Sequence, residues 1–470
     1  MTTHVELRRG AYADSVTLLQ VSRTVQGLPG VSAAQVAMAT PLNVEVLLGM
    51  GFEVPEEATT NDMVVAVRLD EGGSLDDVLA GVDAALRDST RRREGGSSEV
   101  APPRTTAAAL RRAPGSVVVV SVPGENAFVE AVDAVEAGSD VLVFSDNVPV
   151  AQEVRLKELA TERGRLVMGP DCGTAVLGGV GLGFANVVSP GPVGLVAASG
   201  TGCQQLLALL DHAGVGVTHA LGVGGRDLSA EVGGRSTLTA LDRLDADDDV
   251  ELVVVVSKPP APEVAAAVEQ HAASLSTPVE LALLGAGQPD LTEAAERILA
   301  RLGREVPQWP VTGSTAAPSG GHRLRGLFVG GTLASEAKLL ATSLLGGAAE
   351  GDHTFTDFGD DAYTTGRAHP MIDPTLRLEH LAQAAADPDT AVLLLDVVLG
   401  HGAEADPAAQ LAPALAGVDK PVVVAVVGTA SDPQGLERTV DALAAAGAEV
   451  HLSNARAVRR AVELVQEATR

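Results

Sequence analysis

Residues 192–213 read PVGLVAASGTGCQQLLALLDHA: an apolar run of strand length over 193–198, a turn through Ser199, Gly200, Thr201 and Gly202, and a helix from about Cys203. Glycines let the backbone turn sharply there, and Ser and Thr cap the first helical turn. The start of a helix leaves free N–H groups and carries about half a positive charge, a setting that suits a phosphate or carboxylate. One such turn says little, because every α/β protein has strand-to-helix turns. A near twin follows at residues 324–345, LRGLFVGGTLASEAKLLATSLL, where a strand over 324–329 meets Gly330, Gly331 and Thr332, and a helix carries no charge before Glu336. Two anion-ready turns imply one ligand held between two helix ends. Ser199, Gly200, Thr201, Gly202, Gly330, Gly331 and Thr332 are therefore the phosphate-binding candidates.

At 470 residues the chain is too long for one core, and roughly three or four domains are expected. Ala, Val, Leu and Gly dominate and aromatics make up 2%, which fits parallel α/β layers with small side chains at helix–sheet contacts. A net charge of -28 argues against nucleic acid and anionic membrane surfaces and for high solubility. Residues 1–11 carry His4, Glu6, Arg8 and Arg9 with no apolar core, and no apolar run approaches the length of a membrane span. Cys172 and Cys203 make neither a disulfide framework nor a CxxC metal spacing. A reduced, cytoplasmic protein without a metal site is expected.

Residues 1–89 read as a small ferredoxin-like or ACT-like α+β domain, with strands over 4–8, 31–39 and 63–69 and helices over 11–26, 42–50 and 75–88. Residues 90–104 read as a linker, combining the run Arg91-Arg92-Arg93 with Gly-Gly-Ser-Ser and Pro-Pro. Residues 105–188 read as a Rossmann-like domain with strands over 117–122, 141–144 and 166–168. Open parallel sheets place ligands beyond the carboxyl ends of their strands, which makes Asn126 and Asn147 substrate-binding candidates. No GxGxxG opens a helix here, so a dinucleotide is not expected. Residues 189–307 form a further α/β unit. Its strand over 217–223 ends at Gly224, Gly225 and Arg226, and its strand over 252–257 at Lys258. A guanidinium or ammonium there meets a carboxylate or phosphate, so these four join the substrate-binding candidates. Residues 308–322 read as a second linker, and residues 323–470 repeat the plan.

The catalytic candidates are His369, Asp396 and His401. Asp396 interrupts the apolar run LLLDVVLG, where a lone carboxylate is costly to bury. Imidazoles suit acid–base work near neutral pH. Ser199 and Thr201 read as capping and anion-binding groups rather than nucleophiles, because no His and Asp accompany them at motif spacing.

From Pro123 to about Leu284 the chain resembles the alpha subunit of succinyl-CoA synthetase, through VPGENAFVEAVDAVEAG, FSDNVPV, MGPDCGTAV, VGLVAASGTG and LGVGG. From Gly326 onward FVGGTLASEAKLL, FTDFGD and ADPDTAVLLLDVVLG resemble the ligase domain of its beta subunit. HPMIDP (369–374) and LDVVLGHGA (395–403) are similar to motifs of FdrA-like proteins. The resemblance implies a Rossmann-like CoA-binding-type domain followed by two flavodoxin-like ligase domains. It departs from the synthetase at residues 105–116, where a coenzyme A loop is missing, and after residue 284, where GAGQPD replaces the phosphohistidine loop. No ATP-grasp segment is seen. The FdrA resemblance implies a carbamoyltransferase subunit of purine and allantoin catabolism, exchanging carbamoyl phosphate and oxamate with oxalurate and phosphate. Partner chains and a homodimer or higher assembly go with it, and neither coenzyme A nor ATP is expected. The alternatives are an acyl-CoA synthetase-like ligase and a non-catalytic regulatory or assembly subunit.

Overall fold

The computed structural model describes residues 2–11, 13, 15–55, 57–70, 72–94, 103–318, 320–346, 352–364 and 368–469. It divides into two compact units, Met1–Pro102 with Gly366–Ala368, and Pro103–Thr365 with His369–Arg470.

The first unit runs β1 (Thr2–Arg8), α1 (Ser15–Gln26), β2 (Val31–Met38), α2 (Pro41–Gly49), β3 (Met63–Leu69) and α3 (Leu75–Glu94). The strands pair antiparallel in the order β1-β3-β2. Alternation along β3 sends Val65 and Val67 to one face, against Val21 and Val25 of α1 and Val78 and Val82 of α3. Val64 and Ala66 go to the other face, against Leu47 and Phe52. This is the ferredoxin-like unit expected. Helix α3 continues through Glu94, so the triple arginine falls on its last turn rather than in a linker. The remainder of that linker, residues 95–102, lies outside the described residues.

The second unit opens with α4 (Thr106–Arg112), β4 (Val118–Val120), α5 (Gly124–Glu136), β5 (Val141–Val143), α6 (Val150–Glu162) and β6 (Val167–Met168). This is a Rossmann-like arrangement with a parallel sheet ordered β4-β5-β6. The hairpin β7 (Thr174–Leu177) and β8 (Val180–Gly183) leaves that sheet and joins the next one through antiparallel pairing with β10.

The first flavodoxin-like lobe holds β9 (Val193–Ala198), α7 (Gly200–His212), β10 (Val217–Gly222), α8 (Arg235–Asp245), β11 (Leu252–Ser257), α9 (Pro262–Ala272), β12 (Val279–Leu283) and α10 (Leu291–Arg301), with sheet order β12-β11-β9-β10-β7-β8. The second holds β13 (Val311–Thr312), β14 (Arg323–Phe328), α11 (Gly331–Leu345), β15 (Thr354–Asp357), α12 (Asp361–Thr364), α13 (Thr375–Ala386), β16 (Thr390–Val398), α14 (Pro407–Leu415), β17 (Val422–Val427), α15 (Leu436–Ala445), β18 (Glu449–His451) and α16 (Asn454–Ala468), with order β13-β18-β17-β16-β14-β15. The stretch read as a second linker is in part the edge strand β13, antiparallel to β18. Trp309 beside it is buried and donates from Nε1 to Glu296 Oε1 at 2.9 Å.

Every residue of β9, β11, β16 and β17 is buried, as unbroken apolar parallel strands covered on both faces must be. In each lobe the first parallel strand has partners on both sides, β10 and β11 around β9 and β15 and β16 around β14. The chain direction switches there, and the crevice outside such strand ends is where open α/β sheets take ligands. Both glycine turns sit at that point. One core joins the lobes, with Leu206 and Leu210 of α7, Leu291 and Ile298 of α10, Leu333 and Ala337 of α11 and Val458 and Val462 of α16 in a single cluster.

Candidate functional site

The starts of α7 and α11 meet. Ser199 caps α7 by accepting from Gly202 N at 3.0 Å, and its Oγ shares a hydrogen bond of 2.6 Å with Thr332 Oγ1 of the other lobe. Thr332 N donates to Thr201 Oγ1 at 3.3 Å. A Cβ on Gly202 would strike Ser199 Oγ and stand 3.1 Å from Thr332 Cγ2, and one on Gly330 would stand 2.9 Å from Thr201 Cγ2. These two glycines are required by the close approach of two helix starts. Ser199, Thr201 and Thr332 are all buried, and their hydroxyls fill the joint itself. The opening lies beside it, at Gly200, which is exposed, and at Gly331.

The second corner has no side-chain cap of its own. Asp396, fully buried on β16, supplies one from the neighbouring strand: Val329 N donates to its Oδ1 at 2.8 Å and Gly330 N to its Oδ2 at 2.9 Å. Arg377 stands 3.7 Å from the same carboxylate and donates to the Asp396 carbonyl at 2.6 Å. Burial pushes the Asp396 carboxyl up to about 6, against the pull of Arg377 and the two amides. The carboxylate expected to act on substrate is spent on holding the corner's backbone. Further back, Glu336 of α11 is completely buried and accepts from Leu291 N and Asn454 Nδ2, both at 2.7 Å. Burial pushes it up to about 7.

Around the opening stand groups from four elements. A Cβ on Gly331 would land on Asp357 Oδ2 and 2.9 Å from Lys258 Nζ. Asp357 ends β15, and its Oδ1 accepts from Gly359 N at 2.9 Å. Burial raises its carboxyl above the ordinary range while Lys258 opposes the shift. His369 places Nε2 2.7 Å from where a Gly359 Cβ would be. Met371 N donates to His369 Nδ1 at 3.2 Å, and burial lowers the imidazole to about 4. His369 is thus a neutral ring with its proton on Nε2. Its ring lies 5.5 Å from Phe184, whose carbonyl accepts from Thr174 Oγ1, an atom 3.5 Å from where a Gly200 Cβ would be.

Other sequence candidates serve elsewhere. Arg226 is engaged with Glu153 Oε2 at 2.9 Å and Val148 O at 2.8 Å, locking the Rossmann-like domain to the first lobe instead of offering a free fork. Lys157, fully buried, completes that lock with Glu153 and Asp227 at 2.8 and 2.7 Å. Gly224, at φ +90°, lets the backbone approach Gly169 and Pro170, and Gly225 is exposed and faces Asp171. Asn126 is exposed, and Asn147, also exposed, adopts φ 54° in a loop packed on Gly124. His401 is exposed in the loop after β16, its backbone N donating to Ala185 O and its ring beside Gly181 of the hairpin. Cys172 and Cys203 are buried, with thiols pushed up to about 12. Asp357, Arg377 and Glu336 are the residues that sequence reasoning missed. Only Asp357 carried a signal, as an acid closing the strand next to a glycine corner.

Residues 1–102 match a family described as AllF, heavy metal-associated domain, and residues 327–464 match the CoA-ligase family. The chain is 34% identical to YahF of Escherichia coli (strain K12) over 495 residues, covering 95% of each. It is 27% identical to the alpha subunit of ADP-forming succinate–CoA ligase from Methanothermobacter thermautotrophicus, over 36% of this chain and 58% of that subunit. Among solved structures, the dinucleotide-forming acetyl-coenzyme A synthetase 1 of Ca. Korarchaeum cryptofilum aligns at 17% identity and a TM-score of 0.33, over 80% of this chain and 86% of that one. The expected carbamoyltransferase is corrected by the sequence matches: the matched family and the named succinate–CoA ligase subunit are CoA ligases, not transferases. Residues 1–102 contain no cysteine, and no group of three or more His, Cys, Asp or Glu gathers among the described residues. Soft metals select thiolates, so this unit does not fit a heavy-metal cage. No helix among the described residues is long and apolar enough to cross a membrane.

Proposed function

The chain belongs to the family of Escherichia coli YahF, and from that premise and the CoA-ligase match over its second lobe we propose a CoA-ligase-type enzyme that exchanges phosphate for a thiol on an acyl group. An acyl phosphate lies with its phosphoryl group at the opening between α7 and α11, and coenzyme A is the acyl acceptor. The observation that carries this reading is the meeting of the two helix starts through Ser199 and Thr332. Gly200 and Gly331 bring backbone N–H groups there, and Thr201, Gly202 and Gly330 hold those amides in place. Charge grows on phosphate as it leaves, and fixed donors stabilise it without reorganising water. One such donor is worth about 3–4 kcal/mol of barrier. Lys258 is the counter-charge, and the neutral His369 offers Nε2–H to the acyl oxygen. Residues 285–290, GAGQPD, contain no histidine, so the acyl phosphate reacts with the thiol directly. The two free, buried thiols go with a cytoplasmic location, and assembly with further copies or chains belongs to the same reading.

Calorimetry with phosphate and acetyl phosphate, and an assay of acetyl phosphate consumption with and without coenzyme A, test it. Saturable phosphate binding is expected, at least tenfold weaker in Gly200→Val, together with coenzyme A-dependent turnover. Failure of the wild type to bind phosphate, or equal binding by Gly200→Val, overturns it.

A further inference from the structure

Two opposite charges approach one glycine without joining. Asp357 and Lys258 come from different lobes, on β15 and just after β11, and both reach the space over Gly331, the first residue of α11. No ion pair closes between them among the described residues, and no hydrogen bond there reaches Asp357 Oδ2, whereas Oδ1 is fixed by Gly359 N. A carboxylate with one oxygen anchored and the other aimed at a helix start is placed to exchange a proton with whatever lies on that start. The helix start and Lys258 attract the anion. Asp357 repels it when ionised, which is a poor arrangement for binding alone and a useful one for chemistry.

We propose that Asp357 is the proton-accepting group of this site, acting on the acceptor that attacks an acyl phosphate held over Gly331 opposite Lys258. The inference rests on the function proposed above. The acceptor's sulfur forms a bond to the acyl carbon as its proton passes to Asp357 Oδ2. The bond from acyl carbon to phosphate oxygen breaks, and its electron pair leaves with phosphate. Asp357 then returns the proton to the departing phosphate, so the carboxylate is regenerated. Lys258 neutralises the leaving group. The groups facing Asp357 are Lys258 after β11, Asp360 on its own loop, His369 across Gly359 and Asp396 on β16. The raised carboxyl of Asp357 keeps its titration closer to the pH at which a base must work.

The test uses the full chain and sulfate, a dianion that does not titrate near neutrality. Sulfate affinity of the wild type falls as pH rises through the titration of Asp357, because its carboxyl becomes charged. Asp357→Asn binds sulfate at least fivefold more tightly at the upper end, with a shallower slope. Lys258→Met binds at least tenfold more weakly throughout. With acetyl phosphate and coenzyme A, Asp357→Asn loses about a hundredfold in kcat with KM little changed, the size expected for a general base, and Asp357→Glu recovers part of it. Asp357→Ser replaces the Asn variant if circular dichroism shows the latter unfolded. Sulfate binding with the same pH profile in wild type and Asp357→Asn overturns the assignment while leaving the anion site standing. A wild type that binds no sulfate overturns the anion site itself, and the assignment with it.

Discussion

The two glycine corners look alike in sequence and are held in different ways. The first is capped from within, by Ser199 reaching its own Gly202 N. The second has Gly330 at the equivalent place and borrows its cap, because Asp396 comes across from β16 to take Val329 N and Gly330 N. A local cap costs one polar side chain with a short reach. A borrowed cap buries a carboxylate and then requires Arg377 behind it. The second corner is the more expensive to build, and its start remains clear of any capping side chain, leaving Gly331 to face Asp357 and Lys258.

The largest test of that difference is Asp396→Ala. Removing one partner of a buried pair leaves Arg377 uncompensated, and a loss of about 3–5 kcal/mol is expected in urea unfolding. A loss below about 1 kcal/mol would mean that the second corner holds itself. Next comes Gly202→Ala against Gly200→Ala. The former drives a methyl into Ser199 Oγ and Thr332, for about 1–3 kcal/mol. The latter meets only Thr174 Oγ1, at 3.5 Å, and is expected to leave the melting temperature nearly unchanged. Ser199→Ala removes the local cap and the bridge to Thr332, for about 1–2 kcal/mol by the same unfolding measurement.

The smallest effect is a slope. Glu336 is protonated more readily in the folded protein, where its pKa is about 7, than in the unfolded chain, whose reference value is 4.5. Between those limits the folded state holds the proton and the unfolded state does not, so this group's contribution to stability falls as pH rises. Glu336→Gln removes that fall. Melting temperatures taken across pH 4.5–7 are expected to decline less in the variant than in the wild type, and parallel curves would show that Glu336 titrates as it does in the unfolded chain.

Much of the fold was legible because parallel strands buried on both faces are unbroken apolar runs, and Val193–Ala198 and Val422–Val427 are such runs. The twin corners were legible because Gly, Ser and Thr between a strand and a helix have a local reason to be there. What stayed hidden depends on partners distant in sequence. The hairpin at Thr174–Leu177 follows the Rossmann-like strands in the chain, yet it pairs at Ala220. Arg226 reads as a free fork until Glu153 of α6 is brought to it. Asp396 was conspicuous as a charge in an apolar run, but nothing nearby in sequence says that its oxygens meet Val329 and Gly330. Arg377 and Glu336 sit in helices where such residues ordinarily face water.

Helix α7 has no water-facing side over its first ten residues after the N-terminal glycine: Thr201 through Leu210 are all buried. Part of its cover comes from α11 and from the core shared with α16, which closes the chain. During synthesis the first lobe therefore emerges with an oily helix bare on one side, and it stays so until more than a hundred further residues have left the ribosome. A chain cut between the lobes would carry that exposed surface permanently, and clumping rather than an independently soluble half is the outcome to anticipate.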